Sequence, residues 1–150
     1  MNRRELLGAA VASATVMAAA NKAFAQDHDH DHMGHGMHIE LPHAKLSEAA
    51  RHCVTAGNVC LSHCLALFTV GDTSVAACAK SVYQMNAMCE ALARLASAES
   101  PHLAAFAKVC HDSCLDCEKE CRKHEKEHAE CKACAESCAA CAEECKKVMA

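Results

Sequence analysis

The sequence predicts an all-α protein, an antiparallel up-down-up-down four-helix bundle whose core is lined by cysteine. Three observations predict it. Nine cysteines between Cys110 and Cys145 recur at intervals of three and four residues, the spacing that carries Leu or Ile in the seam of a packed helix. Upstream, two further stretches of about two dozen residues repeat Cys, Leu, Val, Met and Ala at helical spacing, and short turn signals separate them. No run alternates apolar and polar residues with the period of two that a strand requires.

Each helix has its own justification. The first is expected from about Ala44 to Val70, between Pro42 and Gly71, with Cys53, Cys60 and Cys64 on one face beside Leu46, Ala49 and Leu67. Asp72-Thr73-Ser74 then offers a turn and an N-cap. The second helix is expected from about Ser74 to Ala98, with Cys78, Val82, Met85, Cys89 and Leu92 inward. Ser100-Pro101 opens the third, Ser100 as N-cap and Pro101 in the first turn, and it should reach about Lys126. A short break near His128, without Gly or Pro, leads into the fourth, ending near Met149.

At 100° per residue, Cys110, Cys114, Cys117 and Cys121 fall within about 60° around one helix. Cys131, Cys134, Cys138, Cys141 and Cys145 fall within about 80° around the next. Glu118, Lys119, Arg122, Lys123, Glu136, Glu143 and Lys146 occupy the opposite faces, so the thiol rows point inward.

Residues 1–25 read as a removable export signal: Asn2-Arg3-Arg4-Glu5-Leu6-Leu7, an Ala-rich apolar run, and Ala23-Phe24-Ala25 as the cleavage site. The run is too short to span a bilayer, so no membrane insertion is expected once it is removed. The paired arginines resemble a twin-arginine leader, with the general secretory route as the alternative. A twin-arginine route exports folded proteins and would deliver buried thiols to the periplasm. Residues 26–43 form a His-, Asp- and Met-rich segment expected to be mobile. It is either a solvated spacer or a weak metal trap built from His28, His30, His32, His35, His38, Met33 and Met37. The bundle domain is residues 44–150.

The chain is 150 residues long with a formal charge of -4, so it carries no basic footprint for nucleic acid. It has no Trp, one Tyr and three Phe, and Leu, Ile, Val and Phe make up only about 15% of the residues from Gln26 onward, little for an ordinary core. Fourteen Cys are the compensating feature.

Those thiols are disulfides, small hydrophobes or ligands. Helical neighbours three or four apart hold their Cβ atoms about 5–6 Å apart, and a disulfide wants about 3.5–4.5 Å. Pairing within a helix is therefore strained. Cys and Ala on every layer of four helices would leave voids costing about 1 kcal/mol each, which metal ions would fill.

The pairs Cys114/Cys117, Cys131/Cys134 and Cys138/Cys141 have zinc spacing. C-x3-C pairs are as frequent, and soft thiolates and thioethers favour Cu(I). Charge weighs further: a few Zn²⁺ among many buried thiolates leave a large negative excess, whereas about one Cu⁺ per thiolate leaves the interior near neutral, at more than about ten ions per chain. Neither iron–sulfur spacing occurs, and the βαβ context of redox C-x-x-C chemistry is missing. No catalytic constellation is legible, so no enzyme is expected. The alternatives are a disulfide-stabilised structural or redox protein and a zinc-thiolate store.

Met85 is either core filler or a thioether contact to copper. His52, His63 and His111 adjoin cysteines but lie off their central line, as boundary residues do.

With these residues in place, the chain resembles the bacterial copper storage proteins, Cys-rich four-helix bundles of which one branch carries a twin-arginine leader. The resemblance covers residues 44–149. It rests on Cys53, Cys60 and Cys64, on the Gly71-Asp72-Thr73-Ser74 corner followed by Cys78, on Cys89, and on the nine-cysteine array. It implies a core loaded with many Cu(I) ions by thiolates from all four helices and assembly as a homotetramer. It also implies supply to a copper enzyme, such as the methane-oxidising enzyme of some hosts, through an unidentified donor and recipient. In relatives Met and His near the bundle mouth assist uptake. Here Phe68 and Val70 occupy that corner, which leaves His124, His128 or the His-rich segment as substitutes.

Overall fold

The computed structural model describes residues 41–149. Four helices occupy them: α1 (Ala44–Thr69), α2 (Ala76–Ser97), α3 (Leu103–Arg122) and α4 (Ala129–Lys146), with no strand among the described residues. The export signal and the His-rich run up to residue 40 lie outside the described residues. At 1.5 Å per residue, the 26 residues of α1 extend about 39 Å and the 18 of α4 about 27 Å. The helices close a ring in which α1 packs on α2 and α4, and α3 packs on α2 and α4. Short connections between ring neighbours make the expected up-down-up-down bundle.

The inward rows are heptad rows. Leu46, Ala50, Cys53, Gly57, Cys60 and Cys64 form the buried row of α1, Cys78, Val82, Met85, Cys89, Leu92 and Ala96 that of α2. Leu103, Ala107, Cys110, Cys114, Cys117 and Cys121 form that of α3, and Cys131, Cys134, Cys138, Cys141 and Cys145 that of α4. Every step is three or four residues, so each row stays aimed at the same axis. Ala49 and Leu67, expected in the first row, are only half-buried. Ala50 and the glycine at position 57 hold the register instead.

The core changes character along its length. Where α1 and α3 begin, Leu46, Ala50, Leu92, Ala96, Leu103 and Ala107 are buried, and Leu95, Phe106, Val148 and Met149 pack over them. This hydrocarbon plug supplies ordinary apolar burial, about 1.5–3 kcal/mol for each large side chain. Toward the opposite end the core is mostly sulfur as far as Cys64, Cys78 and Cys131, joined by the fully buried Val82 and Val75. Charged residues face outward as the pattern requires, with Arg122 bridging Glu118 on α3 and Glu125 in the turn that follows it.

Helix ends depart from expectation. Helix α2 starts at Ala76 rather than about Ser74, and its N-cap is Val75 without a side-chain cap. Asp72 acts earlier: its Oδ1 accepts from the Ser74 N–H at 2.9 Å. Ser100 behaves likewise, its Oγ accepting from the His102 N–H at 3.2 Å, while His102 is the N-cap of α3. In both corners a tight turn precedes the α-helix, closed by Ala76 N–H to Thr73 O and Leu103 N–H to Ser100 O. Helix α3 stops at Arg122 instead of about Lys126, because residues 123–127 form turns before His128 becomes extended at φ -129° and ψ 109°. Helix α4 stops at Lys146 rather than near Met149.

Two C-termini use the same device. After α1, Asp72 N–H bonds Leu67 O and Gly71 N–H bonds Phe68 O, with Gly71 left-handed at φ +83°. After α2, Ser100 N–H bonds Leu95 O and Glu99 N–H bonds Ala96 O, with Glu99 left-handed at φ 48°. Glycine adopts that conformation freely; glutamate bears about 1–2 kcal/mol of strain there.

Candidate metal centre

All fourteen cysteines are free thiols with 0% exposure. The heptad rows place them: each helix contributes sulfur at successive levels, and four facing rows converge on one axis. Neighbouring sulfurs stand 3.3 Å apart at Cys78/Cys121, 3.6 Å at Cys53/Cys138, Cys89/Cys110 and Cys89/Cys114, and 3.8 Å at Cys60/Cys131.

The sulfurs gather into five groups whose members lie within 4.8 Å of one another: Cys53/Cys89/Cys114/Cys141, Cys110/Cys141/Cys145, Cys117/Cys134/Cys138, Cys60/Cys121/Cys134 and Cys60/Cys78/Cys131. The first takes one thiol from each helix. Cys60, Cys134 and Cys141 each belong to two groups, and the Cys53/Cys138 contact links the remaining pair. The result is a continuous ladder of sulfur rather than separate cages. No group holds both members of a C-x2-C pair, so the zinc-like spacing in the sequence does not describe how the thiols assemble. Cys64 stands outside the five groups, at the sulfur end of the axis.

Burial governs the charge of this ladder, because a low-dielectric interior disfavours thiolate. It pushes the Cys64 thiol up to about 11 and the Cys131 thiol up to about 12. Hydrogen bonds between thiols then divide neighbours. Cys78, bonded by Cys121, is drawn down to about 3, whereas Cys89, held by Cys110 and Cys114, is pushed far above the ordinary thiol range. Soft monovalent cations replacing thiol protons would keep such an interior near neutral.

Met85 is also fully buried, and its Sδ accepts from the Cys53 thiol at 3.2 Å. The histidines flank the ladder. His52 Nδ1 meets Ser137 Oγ at 3.1 Å, and His111 Nδ1 meets Asp112 at 2.9 Å. His63 Nε2 meets His128 Nδ1 at 3.0 Å, with Glu130 at 3.7 Å from the other ring nitrogen. None of these imidazoles joins a sulfur group. Phe68 is half-buried and Val70 is 78% exposed at the α1–α2 corner.

Sequence reasoning missed three buried polar groups and a glycine. Ser47 donates to Ala93 O at 3.1 Å, Ser137 faces His52, and Asn86 Nδ2 donates to Asn58 Oδ1 at 2.8 Å. Gly57 fills the slot between Cys53 and Cys60. Counting the heptad through Cys53 and Cys60 would have exposed it.

The family model for copper storage proteins matches residues 40–150. No curated protein matches the chain significantly. Among solved structures, apo copper storage protein 3 from Bacillus subtilis superposes with a TM-score of 0.63 at 29% identity, covering 71% of this chain and 97% of that one. The Cu(I)-bound form of the Bacillus subtilis protein gives 0.61 at 29% identity, covering 70% and 95%. The Streptomyces lividans copper storage protein loaded with 10 copper equivalents gives 0.65 at 27% identity, covering 71% and 83%. A family match across nearly the whole of the sulfur-lined bundle, joined to that bundle's shape and thiol array, shows that this chain belongs to the copper storage protein family.

Proposed function

We propose that the chain reversibly stores and buffers many Cu(I) ions, held by the thiolates of all fourteen cysteines and the thioether of Met85, and supplies them to copper enzymes without itself catalysing a reaction. One observation carries this: of fourteen fully buried thiols, thirteen form a linked ladder with shared members, Cys60, Cys134 and Cys141, and Cys64 stands at its end. Shared thiolates bridge ions, and bridging suits soft monovalent copper at about one ion per thiolate. That ratio gives more than about ten ions per chain. The Cu(I)-bound and copper-loaded relatives support the same reading.

Loading is from the end with Cys64, Cys78 and Cys131, because the larger hydrocarbon plug closes the other and Val75 is the main fully buried hydrocarbon at this one. His63 and His128 stand there, which supports imidazole rather than corner residues Phe68 and Val70 in uptake. No described helix is long and apolar enough to cross a membrane. A twin-arginine leader over residues 1–25, a periplasmic location, a homotetramer, weak metal capture by residues 26–43 and an external copper donor and recipient complete the proposal.

An anaerobic titration of reduced, metal-free protein with Cu(I), in competition with a Cu(I) chelator, tests the store. Uptake of more than about ten ions per chain is expected. Saturation at three or four ions, or cysteines already bridged to one another before loading, overturns it. Sedimentation analysis should give four chains per particle.

A further inference from the structure

Gly57 is the one position of the α1 row without a side chain, and its neighbours explain why. A Cβ there would stand 2.1 Å from Asn86 Oδ1 and 2.9 Å from Met85 Cε. Real side chains do not approach so closely, so glycine is what lets this stretch of α2 seat against α1. Asn86 is 7% exposed, and its Nδ2 is committed to Asn58. Its Oδ1 is buried without a hydrogen-bond partner, pressed against the Gly57 backbone. An unsatisfied buried acceptor costs about 1–3 kcal/mol, only partly offset by a C–H···O contact. That cost buys a fixed place for the residue beside it.

Met85 is that residue, and its Sδ lies 3.2 Å from Cys53, a member of the four-thiol group. The other groups hold three thiols each. A thioether is a soft donor that brings no charge and has no proton to lose. It can therefore take the place of a thiolate around a Cu(I) ion at the group richest in thiolate, so that fewer anions crowd one ion there.

We propose that Gly57 and Asn86 form a seat that holds the Met85 thioether against Cys53, beside the Cys53/Cys89/Cys114/Cys141 group, and that this site takes the first copper ion and releases it last. The proposal rests on the Cu(I)-storage reading and adds a rank order to its sites. Gly57 and Asn86 are positioning residues, acting through Met85.

The test uses the full chain labelled with selenomethionine and one equivalent of Cu(I). X-ray absorption at the selenium edge should show a copper neighbour, and Met85→Leu should abolish it. Met85→Leu and Gly57→Ala should each weaken binding of the first equivalent by about 10- to 100-fold, with total capacity changed by no more than about one ion. The double variant should bind no more weakly than Met85→Leu alone, since both changes remove one interaction. Should Gly57→Ala fail to fold by circular dichroism, Asn86→Ala loosens the seat without crowding it and should still lose about tenfold. A selenium spectrum without copper, or first-ion affinity indifferent to Met85→Leu, overturns the proposal. Additive losses in the double variant, or unchanged affinity in Asn86→Ala, overturn the seat. A chain that takes up no copper at all instead sinks the storage reading on which it rests.

Discussion

Replacing Cys141 with serine should reduce copper capacity more than replacing Cys64. Cys141 belongs to both the Cys53/Cys89/Cys114/Cys141 and the Cys110/Cys141/Cys145 groups, and its sulfur is 3.8 Å from Cys89. Cys64 belongs to none of the five. With about one Cu⁺ per thiolate, losing any thiolate removes one ion by charge balance. Losing a shared thiolate also takes a donor from a second group, leaving its ion under-coordinated. Cys141→Ser should therefore lose about two ions and Cys64→Ser about one at most. Both variants put a hydroxyl where the structure has a fully buried thiol, at a stability cost of about 1–3 kcal/mol each. Unfolding thus affects the pair alike and does not imitate the difference. The assay is anaerobic titration of each reduced apo variant, followed by sulfur-to-copper charge-transfer absorbance and checked by chelator competition. Equal losses, or a larger loss from Cys64→Ser, would refute the linked-ladder reasoning.

Four shorter predictions follow from the same features. Loading should release protons and raise the melting temperature by mass action, so pH-stat titration and calorimetry should both respond; an unchanged melting temperature counts against a copper-filled core. In the apo protein, Cys64 at about 11 and Cys131 at about 12 lie above the ordinary thiol value of 9.0. Above that value the unfolded chain binds fewer protons than the folded one, so this stability is complete below pH 9 and lost as pH rises through 11 to 12; melting of reduced apo protein across that window should show the fall. Leu92→Ala should cost about 2–5 kcal/mol in chemical denaturation while leaving copper capacity unchanged, because it removes part of the hydrocarbon plug and no ligand. Glu99→Gly should stabilise by about 1 kcal/mol through release of the left-handed strain, and Gly71→Ala should destabilise by a similar amount.

The fold was legible because one periodicity runs through it. Nine cysteines at three- and four-residue steps determine both the helices that carry them and the direction they face, and every cysteine is buried as that argument requires. Boundaries were less legible. Asp72 and Ser100 are good capping residues, yet they serve tight turns just before α2 and α3, a choice made by the backbone path between helices. The α3–α4 break has no Gly or Pro to mark its extent, and only the geometry at His128 fixes it. Within the site, residue types identified the sulfur donors, but not which thiols meet. C-x2-C neighbours share no group, whereas the C-x3-C neighbours Cys134/Cys138 and Cys141/Cys145 do, so spacing along the chain identifies only part of each group. Asn86 was invisible for a related reason: its significance is the closeness of two helices, which no single helix encodes. The heptad marks Gly57 as inward but does not say what it makes room for.

The hydrocarbon plug has a consequence for traffic. On the proposed route ions enter and leave at the Cys64 end, so those held between that end and the Met85 site are admitted after the first ion and leave before it. If a stable copper isotope is supplied late in loading, it should dominate the earliest fraction withdrawn by a chelator, while the early isotope stays behind. A vessel of this kind turns over its recent intake quickly and keeps a slow reserve beneath it, which gives one molecule two residence times without two kinds of chamber.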